Sequence, residues 1–151
     1  AQANQPPAAS YATPDTRNAI PVLDFDGTAD EIAVFLGVLG SGYNAGGLTV
    51  ELYWMATSAT SGDCVWIAEI ERMNTDEDAD SFAAGQTVTT TTNGTSGIVT
   101  KSTIPFTDGA QMDSLAAGEA FRLRITRDAD NAADTINATD VELVAVVIRE
   151  T

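Results

Sequence analysis

Residues 47–72 read GLTVELYWMATSATSGDCVWIAEIER, and the fold is decided in this stretch. From residue 48 onward Leu48, Val50, Leu52 and Trp54 share one parity, while Thr49, Glu51 and Tyr53 share the other. A period of two puts apolar side chains on one face of a strand and polar ones on the opposite face. Thr60-Ser61-Gly62-Asp63 is a turn signal. Beyond it the alternation resumes, with Trp66, Ala68 and Ile70 opposite Glu69 and Glu71. Trp54 and Trp66 fall in these apolar runs, which predicts that both rings pack in a core.

Working outward, the same grammar recurs. Residues 20–25 are short and contain Pro21, which suits an edge strand. Residues 31–39 (EIAVFLGVL) are apolar on both parities and predict a central strand covered on both faces. The stretch 40–47 (GSGYNAGG) is a flexible loop. Residues 86–92 form a Thr-rich strand, Asn93-Gly94 a tight turn and 98–106 a further strand ended near Pro105. One helix is expected, over 108–117: Asp108 caps it, Met112 and Leu115 share a face, and Gly118 ends it. Residues 119–127 alternate, with Phe121, Leu123 and Ile125 inward and Arg122, Arg124 and Thr126 outward. A polar loop over 128–140 leads to a last strand at 141–149. About eight strands at this spacing, with no alternation of strands and helices, predict an all-β chain. The expected architecture is a single antiparallel β-sandwich, jelly-roll-like, with one short helix. Residues 20–151 form that domain, and 1–19 (AQANQPPAASYATPDTRNA) form an extended N-terminal arm that cannot fold alone.

Charge and composition remove several function classes. Hydrophobic residues make up 44% of the chain, enough to exclude disorder throughout. Twenty-two acids against seven bases give a net charge of -15, a surface that repels nucleic acid and anionic membranes. The same repulsion opposes self-packing, so an assembly must use local pairing or bound cations. No stretch is long and apolar enough to span a membrane as a helix, and the first residues carry no leader-like apolar run. Histidine is absent, which removes the commonest general base and transition-metal ligand. Cys64, the single cysteine, sits in the apolar run CVWIA and reads as a packing residue. No phosphate loop, dinucleotide fingerprint or nucleophile elbow occurs, and no enzyme activity is expected. All basic residues except Arg17 lie in or beside predicted strands, where they are expected to pair with Glu51, Glu69, Glu71 and Glu142 across a solvated face.

Three groups of residues are candidates for a site. Asp128, Asp130, Asn131 and Asp134 crowd one loop and offer the hard oxygens that calcium takes; no other cofactor is expected. A second acidic loop holds Asp76, Glu77, Asp78 and Asp80. Neither loop has EF-hand spacing, so a solvated acidic turn is the competing account. Tyr43, in the glycine-rich loop, is the aromatic placed to meet a glycan or a partner. Gln5, Pro6, Pro7, Tyr11 and Arg17 in the arm are candidates for arm-mediated assembly, docking on the chain's own domain or on a neighbouring copy.

The opening AQANQPPAASYATPDTRNAIPVLDF, the central GLTVELYWMATSATSGDCVWIAEIER and the segment MDSLAAGEAFRLRITRDADNAADT resemble small structural proteins of tailed bacteriophages, as found in marine and other environmental viral sequences. That resemblance implies a jelly-roll decoration or head-fibre-like protein at the virion surface. It further implies a homo-oligomer, a trimer being frequent in proteins of this kind, in contact with a major capsid or other virion protein, and it carries no catalytic residues over. A carbohydrate-binding β-sandwich on a spike or tail appendage, and a subunit of an extracellular filament, are the two alternatives. Neither nucleic acid nor membrane is an expected partner.

Overall fold

The structure, a computed structural model, describes residues 8–12, 20–74, 80–136 and 139–151. Among them are nine strands: β1 Ala8–Ala12, β2 Ile20–Phe25, β3 Glu31–Val38, β4 Leu48–Ala56, β5 Asp63–Arg72, β6 Gln86–Thr91, β7 Thr100–Phe106, β8 Ala120–Arg127 and β9 Val141–Glu150. They form two sheets, ordered β1-β2-β9-β4-β7 and β3-β8-β5-β6, and every pairing is antiparallel. Setting β1 aside, the two four-stranded sets have the strand order of a jelly roll, so the chain is an all-β jelly-roll sandwich. No helix among the described residues is long and apolar enough to cross a membrane.

The core lies between the sheets and is set by the parities read from the sequence. Leu48, Val50, Leu52 and Trp54 of β4 face Cys64, Trp66, Ala68 and Ile70 of β5, with Phe121, Leu123 and Ile125 of β8 beside them. Phe25 meets Trp66 edge-on at 5.1 Å between ring centroids, a geometry worth roughly 0.5–1.5 kcal/mol beyond burial. Trp54 Nε1 donates to Ser102 Oγ at 2.8 Å, and Ser102 bonds Thr90 Oγ1 at 2.8 Å. This chain of bonds laces β7 to β6 and closes one flank of the sandwich. The thiol of Cys64 is buried in the core, where desolvation raises its pKa well above the ordinary value.

Three expectations change. The edge and centre assignments of the early strands are reversed: β2 lies between β1 and β9, while β3 borders the four-stranded sheet. Pro21 is accommodated because β2 pairs with β9 only over Leu23–Phe25 and has already left it at Pro21. Asn93-Gly94 does not close a tight hairpin. β6 and β7 belong to different sheets, and residues 92–99 cross between them with Ile98 and Val99 exposed. The helix of 108–117 shrinks to one 3-10 turn, Ala110–Met112, preceded by Gly109 and followed by Asp113 and Ser114 at positive φ. Its apolar face is nonetheless as expected, for Met112 and Leu115 are both buried. Within the expected arm, residues 1–19, the described residues Ala8–Ala12 form β1, with Ala9 opposite Leu23 and Ala12 opposite Ile20, which is the docking on its own domain that the sequence left open.

Candidate functional site

Arg127 organises the end of the sandwich where the 128–134 loop meets the β2–β3 turn. It was grouped in the sequence with the solvated bases, yet it is fully buried. The parity was legible: Phe121, Leu123 and Ile125 face inward, and residue 127 continues that series. Its Nε and Nη2 donate to Asp134 Oδ2 at 3.2 Å and Oδ1 at 3.1 Å. Its Nη1 reaches the carbonyls of Phe25 at 3.4 Å, Asp26 at 3.1 Å and Thr139 at 2.8 Å. A buried guanidinium persists only with such a full set of acceptors. The arrangement ties the 128–134 loop, the β2–β3 turn and the entry to β9 together.

That pairing divides the calcium candidates. Asp134 is held by Arg127 and also accepts from Val65 N at 3.1 Å. Asp128 and Asp130 instead meet Asp30, a residue the sequence did not single out, with ligand oxygens all within 4.8 Å. Asn131 Nδ2 donates to Asp128 Oδ2 at 2.8 Å, and Ala129 N donates to Asp30 Oδ1 at 2.8 Å. The neighbouring charge of Asp30, then burial and Asp128, raise the pKa of Asp130. Three hard oxygens suit a divalent cation in type but fall short of the six to eight that calcium takes. Of the other acidic loop, Asp76, Glu77 and Asp78 lie outside the described residues, and Asp80 Oδ1 accepts from Ser81 N.

Tyr43 acts as a clamp between loops. Its hydroxyl donates to Asp108 Oδ1 at 2.7 Å and accepts from Gly47 N at 3.1 Å. Its ring packs partly against the core. Burial and the Asp108 hydrogen bond raise its pKa. Trp54 and Trp66 are fully buried, as expected.

Of the arm candidates, Gln5, Pro6, Pro7 and Arg17 lie outside the described residues. Tyr11 stands in β1 opposite Pro21. β1 pairs with β2 alone and is the margin of its sheet. Where β2 diverges from β9 the sandwich is open, and an apolar groove of about 360 Å³ lies there. Ala9, Pro21, Leu23, Phe35, Leu143 and Val146 are among its walls.

The outer face of the four-stranded sheet has three lanes. On β3, Val34, Leu36 and Val38 are 50%, 73% and 68% exposed. Val34 lies opposite Arg124 and Leu36 opposite Arg122 on β8. Those arginines lie opposite Glu69 and Glu71 on β5. Arg124 grips Glu69 with two nitrogens, Arg122 bonds Glu71, and Phe82 lies 4.3 Å and 5.3 Å from the two guanidinium carbons. On the other sheet Lys101 and Arg149 both pair with Glu51, the first at 2.8 Å and the second at 2.7 Å. These are the cross-strand pairs the sequence suggested. Glu142 departs from them, for burial and the neighbouring charge of Asp24 raise its pKa.

No family model matches the chain, and no curated protein does. Among solved structures, it is similar to the carbohydrate-binding module TmCBM61, solved in complex with β-1,4-galactotriose. The identity is 8%, the TM-score 0.45, and the match covers 93% of this chain and 76% of that one. It is also similar to chains in the structures of infectious bursal disease virus. For the Gx strain the identity is 11% and the TM-score 0.36; for the Gt strain they are 12% and 0.33. Each viral match covers 94% of this chain and 36% of the viral one, so the chain spans about a third of their length.

Proposed function

We propose that this chain is a non-enzymatic structural protein of a virus particle, a decoration or cement protein that works as a homo-oligomer at the virion surface. The observation that carries the proposal is β1. Five residues of the leader enter the fold as a marginal strand held by one neighbour, β2, next to an open apolar groove. A strand attached in this way can exchange between copies or add to a shell protein, because strand addition needs only a free sheet margin and apolar slots. The titratable groups brought together at the loop end are engaged in holding loops, which suits a rigid block better than a reaction site. A cation at Asp30, Asp128 and Asp130 would add rigidity to that end without changing the role.

Deletion of residues 1–12 tests the proposal. The truncated protein is expected to keep its far-ultraviolet strand spectrum and to lose particle binding. Undiminished binding to particles, seen by electron microscopy of reconstituted material, would refute the role of the leader. Filaments of the isolated protein would favour the filament alternative instead. The carbohydrate alternative predicts glycan binding lost in Tyr43→Ala; the engagement of the Tyr43 hydroxyl within the fold weighs against it.

A further inference from the structure

We infer that Asn93 is a site of spontaneous covalent modification, at which the side-chain amide is lost through a ring closed by the backbone nitrogen of Gly94. Among the asparagines of the chain, Asn93 alone is followed by glycine. In the hairpin that the sequence suggests, ladder hydrogen bonds on both sides would hold this pair. The fold places it instead in the unpaired crossover of residues 92–99, between strands of different sheets. Residues 93–96 are all exposed to water.

Ring closure needs an electrophilic carbonyl, a nitrogen free to reach it, and room. Thr95 N donates to Asn93 Oδ1 at 3.1 Å. That bond polarises the carbonyl, and the negative charge its oxygen gains on attack meets an N–H already in place. Gly94 has no side chain to crowd the closing ring. A Cβ built there would meet nothing within 4 Å, so no neighbouring group obstructs the approach. Among the described residues no acceptor takes the Gly94 N–H. Asn93 N donates to Thr100 Oγ1 at 3.1 Å, which anchors the residue on the side away from Gly94.

The chemistry balances with water alone. Gly94 N bonds to Cγ of Asn93, and its proton passes by way of solvent to Nδ2. The Cγ–Nδ2 bond breaks and ammonia leaves, giving a cyclic imide. Water adds to either imide carbonyl and opens the ring, to aspartate or to isoaspartate. One water is consumed and one ammonia released; nothing is oxidised or reduced. Each event adds a negative charge to a chain already at -15. Isoaspartate also adds a methylene to the backbone, directly after the bonds of Thr92 N to Gly62 O and of Asn93 N to Thr100 Oγ1. The crossover that carries the exposed Ile98 and Val99 is thereby lengthened.

This chemistry needs neither assembly nor a virion, so its outcome is separate from that of the proposed function. The full chain is held warm in mildly alkaline buffer for weeks and followed by isoelectric focusing and peptide mapping. The peptide containing Asn93 is expected to become a mixture of isoaspartate and aspartate, and the protein to move to the position of Asn93→Asp on the focusing gel. Asn44, exposed and followed by Ala45, is the internal control and should stay intact. Gly94→Ala should abolish the conversion over the same period with an unchanged melting temperature, because the added methyl meets no neighbour. An Asn93 that stays intact throughout, equal conversion of Asn44, or undiminished conversion in Gly94→Ala would overturn the inference. So would a product that is aspartate alone, the mark of direct hydrolysis without a ring.

Discussion

Replacing Arg127 by Met should be among the most damaging single changes in the molecule. The substitution keeps much of the apolar stem but removes all five hydrogen bonds that the guanidinium makes. Asp134, whose side chain is 2% exposed, is left as a buried carboxylate without its cation, keeping the Val65 amide and the Cys64 thiol as donors. Breaking a buried ion pair from one side costs about 3–5 kcal/mol. The carbonyls of Phe25, Asp26 and Thr139 add to this only in part, because the last two lie where water can reach them. A total near 4 kcal/mol is a large share of the roughly 5–15 kcal/mol that holds a domain together. For this size of domain it corresponds to a fall in Tm of roughly 10 °C. Urea unfolding followed by tryptophan fluorescence is a suitable assay, since Trp54 and Trp66 are both buried. Arg127→Met combined with Asp134→Leu should recover about half of the loss, because no orphan charge remains. A single-variant cost below about 1 kcal/mol, or a double variant no better than the single, would refute the account of Arg127 as the tie between the loops.

Gly37→Ala should cost about 1–3 kcal/mol, because a Cβ there would stand 2.6 Å from Cζ of the Phe121 ring; an unchanged urea midpoint would show that the ring has room to move. Glu142→Gln should raise Tm at neutral pH and not well below pH 4.5, the ordinary glutamate value. Burial raises the folded-state pKa of Glu142, so its contribution is favourable while protonated and is lost as pH rises through that raised value. Glu51 and Asp26 run the other way. The Lys101 and Thr28 hydrogen bonds depress them, so their contributions are lost as pH falls through the depressed values, and Glu51→Gln should lower Tm at neutral pH but not in strong acid. Asp130→Asn should raise Tm in calcium-free buffer by relieving repulsion from Asp30 and Asp128; a lowered Tm would mean that the carboxylate holds the loop together.

Much of the sandwich was legible because strand parity is a local property. The alternation in β4, β5 and β8 named the core side chains correctly, and the glutamates and arginines on the opposite parity found one another across β5 and β8. Strand neighbours are a non-local property, and there the pattern misled. A strand apolar on both faces reads as central, yet β3 lies at a margin, with Val34, Leu36 and Val38 exposed among the described residues. Asn93-Gly94 favours a tight turn locally, but β6 and β7 are claimed by different sheets. The acidic loop illustrates the same limit. Spacing alone grouped Asp134 with Asp128 and Asp130, whereas the fold gives Asp134 to Arg127 and brings Asp30 from about a hundred residues earlier, the separation seen in its bond to Ala129. The inward parity of Arg127 was the one available signal for that exchange.

The position of β9 has a consequence for how the molecule comes into being. The last strand in the chain lies between β2 and β4, pairing residues 141–150 with partners that emerge far earlier. Contacts of such sequence separation are slow to form, because a long loop must close first. On the ribosome β4 therefore waits without its main neighbour until residue 150 is free of the exit tunnel. A stalled or clipped chain would present a sheet with a gap at its middle, the kind of surface that chaperones hold and that aggregates capture.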